Sequence, residues 1–225
     1  MFKSTSKNLG ILCRGKSLQN LNKFEDNFDK CFIINDFKKE IERFENILKK
    51  KEIIHYVCRI SKVSLKYNQY KNFNIKSVLM SVAFDMTDFQ FIKSYLKYKL
   101  FNLNINFTPL IFLNKLSLKL FTKTSKIDNN INYLSKFPNT GLLSIFYAAE
   151  YLDIKNIFIC GLDFYISDYL SRNKRSLPRD VQHKKILDLD LINFFLNYVK
   201  EKKDINFYMI TNFKFSEKPD NLILL

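Results

Sequence analysis

Short apolar runs alternate along the chain with longer stretches in which apolar residues recur at helical spacing. This alternation is typical of parallel strands joined by crossover helices, so the pattern predicts an α/β fold. The runs are rich in Ile, Val, Phe and Cys, as expected for strands buried on both faces of a sheet. The predicted strands are Leu9–Cys13, Cys31–Ile34, Ile53–Cys58, Val78–Ala83, Phe107–Phe112, Asn156–Cys160 and Asn206–Ile210.

The stretches between the strands carry the apolar periodicity of amphipathic helices. The chain shows neither an internal repeat nor a linker rich in Pro, Gly or Ser, which favours a single domain spanning residues 1–225. The predicted helices are Asp36–Lys51, Thr87–Leu100, Gly141–Leu152 and Lys184–Lys202.

Two segments lack either periodicity, Thr122–Asn139 and Tyr165–Gln182. The second directly follows a predicted buried strand, and segments that leave the carboxyl ends of strands surround the ligand crevice in α/β sheets. We therefore expect residues 165–182 to form a lid over that crevice. Three of the six arginines of the chain fall in this segment and are candidate substrate contacts: Arg172, Arg175 and Arg179.

Composition is that of an ordinary globular protein, with 225 residues of which 47% are hydrophobic and 26% charged. The formal net charge of +15 favours an anionic ligand, a nucleic acid or an acidic membrane surface as partner. No signal-peptide pattern and no run of about 18 apolar residues is present, so we expect a cytoplasmic protein, with peripheral contact to the inner membrane face as an option.

Cysteine spacing favours buried thiols over disulfides or zinc ligands, because the chain contains no CxxC pair and metal sites need clustered ligands. The four cysteines are Cys13, Cys31, Cys58 and Cys160.

Glycine is scarce, with four residues in the chain, so each marks a place of unusual torsion angles or close approach. Gly15 follows the first predicted strand in the turn Cys13–Leu18, where nucleotide phosphates or sugars commonly meet backbone N–H groups. The turn is neither a GxGxxG fingerprint nor a P-loop, and a plain tight turn remains an alternative to a ligand loop.

Two further glycines stand at the predicted crevice. Gly141 follows Asn139 and Thr140 at the start of a helix, where these residues either cap the helix or leave its N–H groups to a ligand oxygen. Gly161 ends a predicted strand and precedes Asp163. Tyr165 and Tyr169 follow and offer phenolic donors that can stabilise charge on a leaving phosphate.

Histidine is represented by His55 and His183. His55 lies inside a predicted strand, which indicates a structural role. His183 lies where the predicted lid meets the last helix, about 1.4 turns before Asp188, so Asp188 can orient the ring of a catalytic base, with a capping or surface histidine as the alternative. The sequence Asp188-Leu189-Asp190 imitates a metal-binding DxD element, but helical geometry separates the two carboxylates by about 200°.

These elements together resemble a known family. The stretches Asn139–Leu143, Ala148-Ala149 and Ile157–Tyr165 look like the central motif of the bacterial lipooligosaccharide sialyltransferases, glycosyltransferase family 42. The other elements that follow the order of that family are the turn Cys13–Leu18, Asn35, and the pair His183 and Asp188.

The resemblance implies a single Rossmann-like domain of the GT-A type, with a mostly parallel sheet flanked by helices and a lid that orders over a CMP-activated sugar acid. It implies inverting transfer of a sialic acid or related ulosonic acid to a glycan hydroxyl, with neither a metal nor another cofactor. His183 would deprotonate the acceptor, while Tyr165 and Tyr169 would donate to the departing phosphate. The substrate-binding candidates in the matching elements are Arg14, Gly15, Ser17, Asn35, Asn139, Thr140, Gly141 and Asp163.

The sequence departs from the family pattern at Arg14, where a small Asn is usual, at Lys16, where proline is usual, and at Phe137, which is often Arg. A cation at Arg14 can pair with a phosphate or carboxylate of the donor. CMP-Kdo or another CMP-ulosonic acid therefore rivals CMP-sialic acid as donor.

Other classes of function compete with this reading. A phosphate-transferring enzyme of related fold would need a nucleoside triphosphate and magnesium, and a strand-end carboxylate pair is lacking. A nucleic-acid-binding protein fits the charge but lacks a cluster of basic and aromatic residues, so no nucleic-acid partner is expected. The expected partners are the CMP-activated sugar acid and a glycan acceptor, with anionic membrane and a homo-oligomer left open.

Overall fold

The computed structural model describes residues 7–57, 65, 67–80, 96, 106–109, 139–164, 169–171 and 184–225, with the main chain alone for residues 67, 80, 106–109 and 184–191. The strands within these ranges are β1 Asn8–Leu12, β2 Lys30–Ile34, β3 Glu52–Val57, β4 Ile75–Met80, β5 Asn106–Pro109, β6 Asn156–Cys160, β7 Asn206–Ile210 and β8 Leu222–Leu224. The helices are a 3₁₀ helix Lys16–Phe24 and the α-helices α1 Lys38–Arg43, α2 Glu45–Leu48, α3 Tyr67–Asn72, α4 Thr140–Tyr151 and α5 Lys184–Glu201.

The strands form one sheet in the order β5-β4-β3-β2-β1-β6-β7-β8, and every neighbouring pair is parallel. The chain builds outward from β1 to β5 on one side and then returns to the centre, where β6 pairs with β1. The fold is thus an α/β Rossmann-like fold, as the alternation of apolar runs predicts.

Each face of the sheet carries its own hydrophobic core. On one face, β1, β2 and β6 pack against α4 and α5, through buried residues that include Phe146 and Phe195. On the other face, the 3₁₀ helix and α1 to α3 cover the sheet, through buried residues that include Leu21, Phe37 and Tyr70. Burial on both faces explains why the inner strands read as continuous apolar runs rather than as alternating ones.

The predicted strands β1, β2, β3, β6 and β7 are confirmed to within one residue at each end. β4 begins at Ile75, three residues before its predicted start, and β5 covers Asn106–Pro109. The ends predicted for these two strands, and the helix predicted at Thr87–Leu100 apart from residue 96, lie outside the described residues.

The single helix predicted at Asp36–Lys51 is wrong. Phe44 leaves the helical torsion angles (φ −108°, ψ 30°), so two short helices replace one long helix. Ile47 and Leu48 are both buried after this break. Packing of adjacent side chains against the sheet overrides the helical pattern of the sequence.

Helices α4 and α5 run in the same direction along the sheet. Near their carboxyl ends, the Tyr198 hydroxyl donates to Glu150 Oε1 (3.0 Å) and Lys202 Nζ pairs with the same oxygen (2.8 Å). Both helices lead into strands of a parallel sheet, so both begin at the carboxyl edge of that sheet. The Asp188-Leu189-Asp190 sequence lies within α5, as the helical pattern predicts.

Candidate functional site

The centre of the sheet contains the reversal of strand order that marks ligand sites in open α/β sheets. β1 leads outward to β2, whereas its other neighbour β6 leads outward to β7. Ligands of such sheets bind outside the carboxyl ends of the two strands that flank the reversal. We call the edge formed here by residues 13–15, residues 161–164, Asn35 and the start of α4 the central rim.

The two strands stay joined beyond their ends. The Cys13 N–H donates to the Cys160 carbonyl (2.8 Å) and the Gly15 N–H to the Gly161 carbonyl (2.8 Å). A Cβ atom at Gly15 would lie 2.6 Å from that carbonyl and 2.5 Å from Asp163 Oδ2, so a side chain there would force the turn apart. Gly161 has a φ of +81°, which L-residues with side chains rarely adopt.

Asp163 fastens three strand ends together from inside the central rim. Its side chain is buried at 3% exposure, and Ser17 beside it is fully buried. The Ser17 hydroxyl donates to the Ile210 carbonyl (3.1 Å) at the end of β7. The Asp163 carboxylate accepts hydrogen bonds from the Ser17 N–H (2.9 Å), the Thr211 hydroxyl (3.3 Å), the Asn212 N–H (3.0 Å) and the Asn212 side-chain amide (3.4 Å).

This arrangement gives two of the predicted substrate-binding residues partners within the protein. Ser17 and Asp163 were expected among the substrate contacts, yet both side chains are turned into the protein and engaged by protein groups. Their physical role is to hold the turns after β1, β6 and β7 in one geometry. Thr211 and Asn212 also donate hydrogen bonds to Asp163. They were not predicted, because contacts between residues 48 and 49 positions apart leave no pattern in the sequence.

Asn35 stands at the end of β2 with a φ of +55°, a left-handed conformation that asparagine tolerates better than most residues. Its side-chain amide donates to Thr140 Oγ1 (2.9 Å), which ties β2 to the start of α4. Asn139 caps α4, because its Oδ1 accepts from the Leu142 N–H (3.0 Å). The cap expected at this helix is confirmed, and it leaves other N–H groups of the first turn available by helix geometry.

Gly141 lies in the first turn of α4, against the turn after β1. A Cβ atom there would lie 2.7 Å from Cys13 Sγ. This close approach brings the amino end of α4 against the turn after β1. In many folds the N–H groups at the amino end of a helix bind oxygen atoms of an anionic ligand.

His55 is buried behind Asn35, as its position in a strand predicts. Its Nε2 lies 2.5 Å from the Asn35 carbonyl oxygen and its Nδ1 lies 3.1 Å from the Tyr70 hydroxyl. Burial lowers the pKa of His55 to about 4, although the Asn35 carbonyl and the charge of Asp36 act in the opposite direction. The neutral ring therefore donates from Nε2 and accepts from Tyr70, which fixes the main chain of Asn35.

Arg14 projects from the turn after β1 and contacts two other elements. Its Nε lies 3.6 Å from Oε1 of Glu40 in α1, and its guanidinium lies 4.7 Å from the centre of the Tyr169 ring. The backbone follows the same association: the Leu170 N–H donates to the Arg14 carbonyl (2.7 Å), and Gly15 forms an antiparallel bridge with Tyr169.

The structure thus brings most of the described candidates to one place. Gly15 and Gly141 line the rim with backbone, and Ser17 and Asp163 support it from inside. The candidates that are partly exposed there are Arg14, Asn35, Asn139, Thr140 and Tyr169.

The remaining candidates lie outside the described residues: Tyr165, Arg172, Arg175, Arg179, His183 and the side chain of Asp188. The same holds for most of the lid predicted at residues 165–182, of which the structure describes residues 169–171, and for Phe137.

Burial disfavours the thiolate form of the cysteines near the central rim. Burial, followed by the charge of Asp163, raises the pKa of Cys13 well above its usual range, and burial does the same for Cys160. Burial also raises the pKa of Cys31 to about 12. These three cysteines are free and buried, as their spacing predicts; Cys58 lies outside the described residues.

A second concavity lies away from the central rim. A wide groove of about 860 Å³ separates the carboxyl half of α5 from residues 216–221, the segment that leads into β8. Lys200 and Lys218 are among its lining residues. Because both boundaries approach the amino ends of β7 and β8, the groove belongs to the edge of the sheet opposite the candidate site.

Two features are absent from the described residues, a metal-ligand cluster and a membrane-spanning helix. Among these residues, no three His, Cys, Asp or Glu side chains are grouped so that they could hold a metal ion. No helix in the described part of the chain combines the length and apolar character needed to cross a membrane.

Comparisons with known proteins identify the fold. No protein-family model matches this sequence, and no curated protein matches it. The sialyltransferase CstII from Campylobacter jejuni, solved in complex with the substrate analogue cytidine-5'-monophosphate, is similar with a TM-score of 0.60 at 18% identity, over 92% of this chain and 81% of CstII. A second structure of CstII, in complex with CMP-3FNeuAc, gives a TM-score of 0.54 at 17% identity over 91% and 81%. The chain therefore has the fold of these sialyltransferase structures.

Proposed function

We propose that the chain is a glycosyltransferase that moves a sialic acid or related ulosonic acid from a CMP-activated donor to a hydroxyl of a cell-surface glycan, such as a lipooligosaccharide or capsule precursor. One coincidence carries the proposal. The segments whose sequence resembles family 42 sialyltransferases are residues 139–143 and 157–165. Their described residues, 139–143 and 157–164, run to the central rim of a fold shared with CstII, which was solved with CMP and with CMP-3FNeuAc.

The donor would bind across the central rim. The first-turn N–H groups of α4 and the helix dipole favour an anionic group, and the partly exposed Asn35 and Thr140 side chains offer hydrogen bonds to a nucleotide. Backbone at Gly15 and Gly141 permits close approach. Within the described part of the rim, nucleotide recognition would thus rest on polar side chains and backbone groups.

The acceptor would be activated by His183, which immediately precedes the first residue of α5 in the sequence. Because α5 begins at the carboxyl edge of the sheet, a base at His183 would act at the same edge as the donor. His183 would accept the hydroxyl proton, with its ring oriented by Asp188.

A single displacement completes the proposed reaction. The acceptor oxygen forms its bond to the anomeric carbon while the bond from that carbon to the phosphate oxygen breaks, so the configuration inverts and CMP departs with the electron pair. Tyr165 and Tyr169 would donate hydrogen bonds to the departing phosphate, in place of a metal ion. Arg172, Arg175 and Arg179 would meet the anionic donor from residues 165–182, and that segment would exclude water.

A glycan precursor as acceptor would place the enzyme in the cytoplasm, at the inner membrane face. A formal net charge of +15 supports peripheral attraction to anionic lipids. Co-sedimentation with vesicles that contain anionic lipid, compared with neutral vesicles, tests this part independently of turnover.

The deciding experiment measures CMP release from CMP-sialic acid and from CMP-Kdo, with CMP binding followed by calorimetry. We expect turnover with one of the two donors, and the preferred donor separates the sialyltransferase proposal from the Kdo alternative. The His183→Ala variant should keep CMP binding and lose transfer by about 10²- to 10⁴-fold, as removal of a general base does. Folded protein that neither binds CMP nor turns over either donor rejects the proposal.

A further inference from the structure

Arg14 is placed differently from a free anion-binding group. Its partner Glu40 is buried at 1% exposure, while the Arg14 side chain keeps 21%. Within the described residues, Arg14 Nε and Glu40 Oε1 form no hydrogen bond, and the two atoms make an ion pair at 3.6 Å. The buried Glu40 carboxylate therefore offsets part of the guanidinium charge.

The other side of the guanidinium is covered by an aromatic ring. The Arg14 guanidinium carbon lies 4.7 Å from the centre of the Tyr169 ring, within the range of a cation–π contact. Arginine suits this arrangement because its planar head can pair with a carboxylate and stack on a ring at the same time.

Two main-chain contacts also join residues 169 and 170 to the turn after β1. Leu170 N–H donates to the Arg14 carbonyl at 2.7 Å, and Gly15 forms an antiparallel bridge with Tyr169. Leu170 also packs against the hydrophobic core on the face of the sheet that the 3₁₀ helix and α1 to α3 cover. One residue of the turn after β1 thus holds Tyr169 by its side chain and Leu170 by its backbone.

We propose that Arg14 is a positioning residue: clamped between Glu40 and Tyr169, it fixes residues 169–171 against the central rim and so sets where the Tyr169 phenol meets the donor. The catalytic consequence rests on the proposed function, in which Tyr169 donates to the departing phosphate. The clamp itself does not, because all its contacts are within the protein.

The clamp is tested without any ligand by hydrogen exchange of the Leu170 amide, read relative to the amides of β6. In Arg14→Met, loss of the stack and the ion pair should accelerate Leu170 exchange about fivefold or more while β6 exchange changes far less. Equal acceleration at both places, or none at Leu170, overturns the proposal. Arg43→Met is the matched control, because Arg43 is an exposed arginine whose guanidinium lies 5.9 Å from the Phe44 ring, away from the rim.

The catalytic consequence is tested by a double-mutant cycle on transfer from the CMP donor. If Arg14 acts through Tyr169, Arg14→Met lowers kcat in the wild-type background but costs little further in Tyr169→Ala. If Arg14 instead binds the donor directly, the two losses multiply, and the positioning role is wrong.

The Glu40→Gln variant distinguishes a clamping Arg14 from a donor-binding Arg14, because the two roles predict different effects. Loss of the carboxylate should loosen Leu170 and weaken transfer if Arg14 is a clamp. It should tighten CMP binding if Arg14 is a donor-binding cation, because the guanidinium charge is then no longer balanced. Wild-type protein that does not bind CMP would reject the proposed function, while the hydrogen-exchange comparison would still decide whether Arg14 holds residues 169–171.

Discussion

Single residues fix the geometry of the central rim, and Asp163 does so most directly. This buried carboxylate accepts hydrogen bonds from Ser17 after β1 and from Thr211 and Asn212 after β7. Charge-assisted bonds to a buried carboxylate are among the stronger contacts in proteins. The position of the turn that carries Arg14 and Gly15 therefore depends on a residue that follows β6.

Replacing Asp163 with Asn puts an amide donor among groups that are themselves donors. We expect the free energy of unfolding to fall by about 2–3 kcal/mol, the cost of unmatched hydrogen bonds to a buried charged group. Urea denaturation measures this loss. The control is Asp153→Asn at an exposed position, for which a change under about 0.5 kcal/mol is expected. Equal stability of the two variants would contradict the anchoring role.

His55 makes stability depend on pH in a defined window. Its folded pKa of about 4 lies below the ordinary value of 6.5, so the unfolded chain takes up a proton that the folded protein refuses. The contribution of His55 is complete above pH 6.5 and is lost as pH falls toward 4. Lowering the pH from 7 to 5 should therefore reduce the free energy of unfolding by about 2 kcal/mol through His55.

The measurement compares urea denaturation of wild-type protein and His55→Gln at both pH values. The advantage of wild type over the variant should shrink by this amount at the lower pH, because the variant lacks the titrating ring. An advantage that is independent of pH would show that His55 is protonated in the folded state as readily as in the unfolded chain.

The sequence identified the residues with local signals. Asn139 as a cap follows from its place before a helix, and His55 as a structural residue follows from its place in an apolar strand. Glu40 and Tyr70, by contrast, could not be found, because a buried Glu or Tyr in a helix looks the same as an exposed one until a partner is known. Ser17 and Asp163 were predicted as substrate contacts, whereas the hydrogen bond between them could not be predicted, since a contact across 146 residues leaves no local trace.

At the scale of elements, α4 links three parts of the site. Its amino end contacts Asn35 after β2 through Thr140 and Cys13 after β1 through Gly141, and its carboxyl end meets α5 at Glu150. Displacement of this helix would therefore move both the N–H groups of its first turn and helix α5, which follows His183.

The cap of α4 is the simplest point at which to test this. Asn139→Ala removes the side-chain acceptor of the Leu142 N–H and should lower the free energy of unfolding by about 1 kcal/mol. Asn139→Ser keeps a capping oxygen and serves as the matched control, with most of the stability retained. Thermal unfolding followed by circular dichroism distinguishes them, and equal losses in both variants would mean that capping is not what Asn139 contributes.

Elements were predictable where one physical rule dominated. Inner parallel strands must be apolar on both faces, so their runs stand out in the sequence. The 3₁₀ helix Lys16–Phe24, α3 and β8 were missed, because they are short or irregular and gain their stability from packing against the sheet. The break at Phe44 belongs to the same class, since the pattern over 36–51 is compatible with one continuous helix.

At the scale of the molecule, the parallel sheet gathers residues that are far apart in the chain. Every strand ends at the same edge, and the strand order reverses between β1 and β6. Five partly exposed polar or aromatic side chains from four segments meet there as a result. The groove beside α5 is a second concavity, but it lies at the opposite edge.

A crystal structure of the chain grown with CMP tests the central claim most directly. The account predicts CMP over the carboxyl ends of β1 and β6, in contact with the start of α4 and with Asn35. CMP bound in the groove between α5 and residues 216–221, or a central rim left empty at saturating CMP, would contradict it.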